Sequence, residues 1–309
     1  MATIAACLAT AATLAEVSDS ARLDVEVLLA HVLEQNRTHL YTWPEKSLSP
    51  AQQTQFDALL TRRRAGEPVA HLTGVREFWS LTLKVNDSTL IPRPDTELLV
   101  EQVLALAPAR QGQKRLVDLG TGTGAIALAV ASERPEWEIL ALDKSPDAVA
   151  LAEHNRKACG FDHVSVRESD WFAAAGDQLF DLIVSNPPYI DAADPHLARG
   201  DVRFEPASAL VAGEAGLADI QLIAAQGYSR LAEQGWLLLE HGCDQGAQVR
   251  DILHQAGFEQ VRTCLDLAQL ERVSLGCRAG GAGVGGGSIG GATASEVPRS
   301  GYLKVTGRF

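Results

Sequence analysis

An apolar run that stops at two prolines limits what this chain can fold into more than any other stretch. Phe180-Asp181-Leu182-Ile183-Val184-Ser185 is rich in apolar and β-branched residues, as expected of a strand buried on both faces of a parallel sheet. Asn186-Pro187-Pro188-Tyr189 follows at once. Neither proline has an N–H to donate, so the ladder cannot continue. The pattern predicts a strand ending at Asn186, with an Asn, two prolines and a Tyr projecting from its carboxyl end. Ligands bind at that end in open α/β sheets. A plain structural turn would look the same, so the rest of the chain has to decide.

The flanking pattern supplies a sheet. Strand-like runs lie at Arg115–Gly120, Glu138–Asp143, Val164–Glu168 and Trp236–Glu240, with two more near Gln260–Thr263 and Arg272–Leu275. Helical stretches alternate with them: Ala125–Ser132, Ser145 to about Cys159, Asp219–Ala232 and Gly246–Ala256. This alternation implies an α/β protein with a doubly wound, mostly parallel sheet. Residues 1–74 read differently, as an all-helical domain. Leu23, Val27, Leu28, Val32 and Leu33 form an apolar stripe after a cap at Ser20. Ser49-Pro50-Ala51-Gln52 is a capping-box pattern with proline at the first helical position. Gly66-Glu67-Pro68 ends that helix, and Arg62-Arg63-Arg64 in its last turn suits the helix dipole and solvent. Phe78–Val85, a turn at Asn86-Asp87 and a returning Thr89-Leu90-Ile91 predict a β-hairpin linker over residues 75–91. The α/β domain is then 92–276. Gly and Ala dominate the following segment, which cannot bury enough apolar area to order itself, so 277–309 reads as a disordered tail.

With 309 residues, 46% of them apolar, the chain can bury a full core. A net charge of -12 disfavours direct nucleic-acid binding, which needs a basic face. Cys7, Cys159, Cys243, Cys264 and Cys277 are scattered and odd in number, which fits a reducing compartment and neither a zinc site nor a disulfide framework. No apolar run reaches membrane-span length. The Ala-rich start lacks a basic n-region. A cytoplasmic protein is expected.

Asp118-Leu119-Gly120-Thr121-Gly122-Thr123-Gly124 joins the first strand to the first helix of the sheet. Its glycines allow a tight turn and a close ligand approach. With Ala125 the loop also satisfies the dinucleotide pattern. Asp143 ends the second strand, where an acid can accept hydrogen bonds from ribose hydroxyls. Loop plus acid means a bound adenosine ribose and does not choose between NAD and S-adenosylmethionine. A cationic sulfonium tolerates Asp118 and Asp143, whereas a pyrophosphate is repelled by them; an acid before the first glycine also resembles S-adenosylmethionine sites.

If a methyl sulfonium lies over this loop, the Asn186 corner faces the methyl group. An amide nitrogen is a poor nucleophile because its lone pair is delocalised into the carbonyl. The Asn186 side-chain oxygen and the Pro187 carbonyl can accept both hydrogens of a planar NH₂ group, aiming its nitrogen along the transfer line. Tyr189 can pack its ring on the planar group. Catalysis is then positioning plus electrostatics.

This constellation resembles the class I methyltransferases that act on planar NH₂ nitrogens. Over about residues 10–276 the chain is similar to the peptide chain release factor glutamine N5-methyltransferase family. The motifs that carry the resemblance are Ile91-Pro92-Arg93-Pro94-Asp95-Thr96-Glu97, the loop Asp118–Gly124, Asp143, Ser169-Asp170-Trp171-Phe172, Asn186–Tyr189, Arg203-Phe204-Glu205-Pro206 and Glu271-Arg272-Val273. It implies a helical substrate-recognition domain, a hairpin linker and a seven-stranded Rossmann-like catalytic domain. It also implies methyl transfer from S-adenosylmethionine to the Gln of the Gly-Gly-Gln motif in class 1 release factors. A monomer is expected. Carried over by position, Gly120, Thr121, Gly122, Thr123 and Gly124 hug the cofactor, Asp143 holds its ribose, Trp171 flanks its adenine side, and Asn186 touches both cofactor and substrate. Asn186, Pro187, Pro188 and Tyr189 receive the substrate, with Asn186, Pro187 and Tyr189 catalytic. Arg203–Pro206 shapes the substrate entrance or is a salt-bridged loop. Two alternatives share the corner: a ribosomal protein glutamine methyltransferase, and a DNA adenine N6-methyltransferase, which needs base flipping and phosphate contacts.

Overall fold

The computed structural model describes residues 2–107, 112–191, 193–194 and 200–280. Helices come first: α1 (Ile4–Ala9), a 3₁₀ turn, α2 (Ala21–Leu33), α3 (Arg37–Thr42), α4 (Pro50–Arg64) and α5 (Val69–Thr73). Leu14, Leu28, Leu29, Leu40 and Phe56 form their shared core. The Ser49 capping box forms as expected. The α2 stripe is rotated from the expected one. Val25, Leu28, Leu29 and Val32 are buried, whereas Leu23, Val27 and Leu33 are only half-buried. The reason lies in two acids that turn inward with them, Asp24 and Glu26. Arg63 Nε donates to Asp24 Oδ2 at 2.8 Å with both residues buried. Arg22, Arg37 and the Tyr41 hydroxyl all donate to the Glu26 carboxylate. Arg63 is therefore a core ion-pair partner and not a solvated helix-end charge. Ser20 caps α2 through Asp24, its hydroxyl donating to Oδ1 at 3.0 Å, and not through a backbone N–H.

The hairpin is real but its turn sits earlier than expected. β1 (Val75–Phe78) pairs antiparallel with β2 (Leu81–Lys84), with Phe78 opposite Leu81. The turn is Trp79-Ser80, both at positive φ, 51° and 64°, the twist that two-residue hairpins require. Trp79 is held there from outside. Its backbone N–H donates to Glu97 Oε1 at 3.0 Å and its indole N–H to Glu133 Oε1 at 2.8 Å. Asn86 makes a local turn instead, accepting from the Ser88 N–H at 3.0 Å, and Thr89–Ile91 is not a strand.

The catalytic layer follows: α6 (Glu97–Leu106), β3 (Arg115–Leu119), α7 (Ala125–Glu133), β4 (Glu138–Asp143), α8 (Pro146–Cys159), β5 (Val164–Glu168), β6 (Phe180–Ser185), β7 (Ile190–Asp191), β8 (Val211–Ala212), α9 (Gly213–Gly216), α10 (Ala218–Arg230), β9 (Leu231–Glu240), α11 (Gly246–Gln255), β10 (Glu259–Leu265) and β11 (Glu271–Cys277). Seven strands form one sheet in the order β5-β4-β3-β6-β9-β11-β10. The first five are parallel, and β11 and β10 close the edge antiparallel. Alternate residues of the apolar runs face opposite layers. Leu116, Leu182 and Leu238 pack with α6 and α7, while Val117, Ile183 and Leu237 pack with α10 and α11. This is the doubly wound class I methyltransferase fold. The chain runs outward through β4 and β5 on one side of β3 and returns to β6 on the other, so the switch point lies between β3 and β6. The last strand extends through Cys277, and Arg278 still pairs with the Gly235 carbonyl at 2.8 Å. The expected tail therefore starts too early, and its remainder, 281–309, lies outside the described residues. No described helix is long and apolar enough to cross a membrane.

Candidate active site

The glycine loop leaves β3 at the switch point. Gly120, Gly122 and Gly124 all adopt positive φ (69°, 56° and 84°), which side chains disfavour. A Cβ at Gly124 would lie 3.2 Å from Leu128 Cδ1, and one at Gly120 would stand 3.7 Å from the Trp171 ring. The loop arches over β4, with the Thr121 N–H donating to the Leu142 carbonyl at 2.9 Å. The Gly122 N–H donates to Asp143 Oδ2 at 2.8 Å, while Asp143 Oδ1 accepts from the Ser145 N–H. Loop and acid, paired in the sequence only by position, are thus in direct contact. Trp171 joins them through Ser169, whose N–H donates to the Asp143 carbonyl at 2.8 Å and whose hydroxyl donates to the Trp171 carbonyl at 2.7 Å.

Beneath the loop Asp118 is fully buried. Its Oδ2 accepts from the Thr121 hydroxyl at 2.6 Å and the Ala127 N–H at 3.3 Å, while Oδ1 has no partner. Burial pushes its carboxyl up to about 7, with a further push from the Asp143 charge. Thr121 therefore commits its hydroxyl inward. Thr123 is buried, and its carbonyl accepts from Asn155 Nδ2 at 2.9 Å. Asn155 also bonds the Lys84 N–H and carbonyl, tying the loop to the hairpin.

The Asn186 corner leaves the adjacent strand. Ser185 of β6 is in register with Leu119 of β3, and its hydroxyl donates to the Leu119 carbonyl at 2.7 Å. Loop and corner therefore emerge side by side at the same end of the sheet. Asn186 Nδ2 donates to Thr96 Oγ1 at 3.3 Å, leaving a buried Oδ1 with no partner. Such orphans are rare and call for an explanation. Pro187 is buried and Pro188 half-buried. Burial, then the neighbouring Glu240 carboxylate, raises the Tyr189 phenol well above its usual range, so it stays neutral. The Tyr189 carbonyl accepts from Gln245 Nε2 at 2.9 Å. Directly after it, β7 pairs with β8. That short pairing has no sequence signal, because each strand is two residues long.

The Ile91–Glu97 motif braces this corner residue by residue. Arg93 pairs with buried Glu205 at 2.5 Å. Asp95 lies 3.8 Å from Arg272, Thr96 holds Asn186, and Glu97 holds the hairpin turn. Arg203 donates to the Ala65 carbonyl at 2.7 Å, so Arg203–Pro206 is a salt-bridged loop that also ties the helical layer to the site. Sequence reasoning named neither Thr96 nor Glu240 as a site residue. Glu240 is buried where an apolar strand ends, and a carboxylate there was the available signal. Among the described residues no cluster of His, Cys, Asp and Glu could hold a metal.

Residues 6–74 match the PrmC N-terminal domain family, and residues 94–210 match the Methyltransferase small domain family. The chain is 56% identical over 261 residues to the release factor glutamine methyltransferase of Escherichia coli (strain K12), covering 84% of this chain and 94% of that protein. It is 55% identical over 259 residues to the release factor glutamine methyltransferase of Pseudomonas aeruginosa, covering 84% and 93%. A crystal structure of a methyltransferase from Pyrococcus furiosus shares the fold, with a TM-score of 0.50 at 14% identity over 72% of this chain and 98% of that one. With its loop, corner and bracing motif assembled at one sheet end, the chain belongs to the release factor glutamine methyltransferase family.

Proposed function

We infer that this protein transfers a methyl group to the side-chain amide nitrogen of the Gln in the Gly-Gly-Gln motif of class 1 peptide chain release factors. The observation that carries the reading is the buried, unpartnered Oδ1 of Asn186, standing beside the glycine loop. It is an acceptor kept without a donor, and a substrate NH₂ supplies one. S-adenosylmethionine supplies the methyl group as an electrophilic sulfonium substituent. The residues fit that donor. The positive-φ glycines leave the loop without a side chain at three alternate positions while Thr121 and Thr123 are buried, Asp143 offers carboxylate lone pairs to ribose hydroxyls, Trp171 offers a ring beside Gly120, and the orphaned Asp118 oxygen makes the loop attractive to a cation.

Asn186 Oδ1 and the Pro187 carbonyl accept the two hydrogens of the substrate NH₂. Tyr189 walls the planar amide. Holding the group in this way can supply roughly 7–11 kcal/mol in the best cases through orientation alone. No side chain has to remove a proton before transfer: as the N–CH₃ bond forms the S–CH₃ bond would break, sulfur being left as a neutral thioether, and the methylated nitrogen would then release one of its two protons to solvent. The neutral Tyr189 phenol sets no phenolate against the substrate.

The alternatives share the corner but lack the support of the high identity to release factor enzymes over most of the chain. The net charge of -12 further disfavours DNA. The reading includes a cytoplasmic monomer that does not contact nucleic acid directly. Labelled S-adenosylmethionine offered with purified release factor, ribosomal protein or duplex DNA separates the readings. Label in the release factor alone is expected; label in DNA with the release factor unlabelled overturns the assignment.

A further inference from the structure

The hairpin that closes the sheet carries leucines at its turn, where a solvent-facing loop usually carries polar residues. Between β10 and β11 the chain runs Leu265-Asp266-Leu267-Ala268-Gln269-Leu270. Leu267 is 100% exposed, and Leu265 and Leu270 are 46% and 45% exposed. Asp266, the one charged residue in the stretch, is buried. Its Oδ1 accepts from the Ala268 and Leu270 N–H groups at 2.8 and 3.0 Å, and its Oδ2 from the Arg272 guanidinium at 3.1 Å. The Asp266 N–H donates back to the Leu270 carbonyl at 2.8 Å. The carboxylate thus braces the turn from inside and leaves its outer surface without a charge, in a chain of net charge -12. One exposed leucine needs no explanation. Three on one braced turn form an apolar surface of the kind that marks an interaction site.

The place of the turn in the sheet points to its partner. Ser185 of β6, Leu239 of β9 and Ser274 of β11 stand level with one another. Asn186 and Val273 come next toward the site's end of the sheet, two strand spacings or about 10 Å apart. From Val273 the chain continues outward to Leu270, a rise of about 10 Å. The turn therefore projects past the sheet beside the Asn186 corner. Side chains join the two: Arg272 pairs with Asp266 at 3.1 Å and with Asp95 at 3.8 Å, and Thr96, the neighbour of Asp95, holds Asn186. A specific protein complex buries about 800 Å² on each partner, an area roughly 30 Å across. With a substrate glutamine at Asn186, such an area spans the distance to the turn.

We propose that the turn between β10 and β11 is a docking surface for the release factor, with Leu265, Leu267 and Leu270 burying against apolar residues that flank its Gly-Gly-Gln loop. This rests on the function inferred above. The absence of charge on the turn suits an apolar partner surface, because no charge has to leave water when the two meet. Asp266 orders the turn beforehand, so docking does not have to. The leucines touch neither the methyl donor nor the reacting nitrogen, and they set release-factor affinity while the corner sets the rate of transfer.

The test uses the full-length protein with S-adenosylmethionine and a release factor. Leu267→Ser alters a fully exposed side chain, so the fold and Tm should not change. Release-factor KM, and the release-factor Kd from titration calorimetry, should rise by roughly ten- to a hundredfold, the worth of burying one leucine side chain. At saturating release factor kcat should stay within about twofold of wild type, as should the Kd for S-adenosylmethionine. Leu179→Ser is the control: Leu179 is 46% exposed and directly precedes β6, at the opposite end of the sheet, and this variant should leave every quantity unchanged. An unchanged release-factor KM and Kd in Leu267→Ser, or an equal rise in Leu179→Ser, overturns the docking surface. A fall in kcat at constant KM overturns it too, since the turn would then act by bracing the corner. So does sedimentation showing a wild-type dimer that Leu267→Ser breaks, which would give the leucines to a second copy of the chain. A wild-type protein that leaves the release factor unmethylated overturns the inferred function, and this proposal with it; a methylated release factor with unchanged affinity overturns the docking surface alone.

Discussion

Replacing Asn186 by Ala should separate activity from stability. In the folded protein the Asn186 side chain makes one long hydrogen bond, Nδ2 to Thr96 Oγ1 at 3.3 Å, and buries Oδ1 without a partner. Losing the bond costs about 1 kcal/mol, while removing a buried unsatisfied acceptor returns about 1–3 kcal/mol. The net change in stability is therefore near zero or favourable, and Tm should move by no more than about 4 °C in either direction. The transition state loses much more. An acceptor preorganised at the reacting group is typically worth a hundred- to a thousandfold in kcat, about 2.7–4 kcal/mol. Binding of S-adenosylmethionine should stay within about tenfold of wild type, because the Gly122–Asp143 contact and the loop do not depend on Asn186. Differential scanning calorimetry, calorimetric titration and single-turnover methyl transfer read the three quantities. A variant that loses several kcal/mol of stability would make Asn186 a structural residue. One that keeps more than a tenth of wild-type kcat would remove it from the transition state.

Gly124→Ala places a Cβ at φ 84° and 3.2 Å from Leu128 Cδ1; it should cost about 1–2 kcal/mol from backbone handedness and weaken S-adenosylmethionine binding at least tenfold by titration, and unchanged affinity would refute the account of the loop. Asp118 titrates at about 7 in the folded protein because of burial first and Asp143 second, above its unfolded value. Its contribution is fully present below about pH 4 and is lost as pH rises through about 7. Glu240 behaves alike, also raised to about 7 by burial first. Asp118→Asn should therefore flatten, without abolishing, the decline of Tm between pH 4 and 7, and a parallel slope would contradict it. Arg63→Ala leaves Asp24 buried without its partner and should cost about 3–5 kcal/mol in urea unfolding; a loss under 1 kcal/mol would return Arg63 to the role of a solvated helix-end charge.

The sheet was legible because its strands are continuous apolar runs buried on both faces, and such runs have little alternative use. Leu116–Leu119 and Leu182–Ser185 sit where the pattern places them, and their pairing brings Gly120 and Asn186 together as expected. What escaped sequence reading was set by distant partners. Trp79-Ser80 carries no turn chemistry of its own and turns because Glu97 and Glu133 hold the Trp79 backbone and indole. Asp24 and Glu26 look like surface residues until Arg63, Arg22, Arg37 and Tyr41 close on them. Trp171 stands by the loop through two hydrogen bonds of Ser169, which spacing alone does not reveal. Thr96 and Asn186 lie far apart in sequence and meet only where β6 ends. The corner was readable as chemistry, whereas the groups that orient it became visible only in three dimensions.

The central claim is that the Asn186 corner presents a planar amide nitrogen for methylation. Tandem mass spectrometry of a release factor, digested after incubation with the purified protein and S-adenosylmethionine, tests it at the reacting atom. One added methyl on the side-chain nitrogen of the Gly-Gly-Gln glutamine, absent with Asn186→Ala, is the predicted result. A methyl on any other residue, or the same yield from Asn186→Ala, would contradict it.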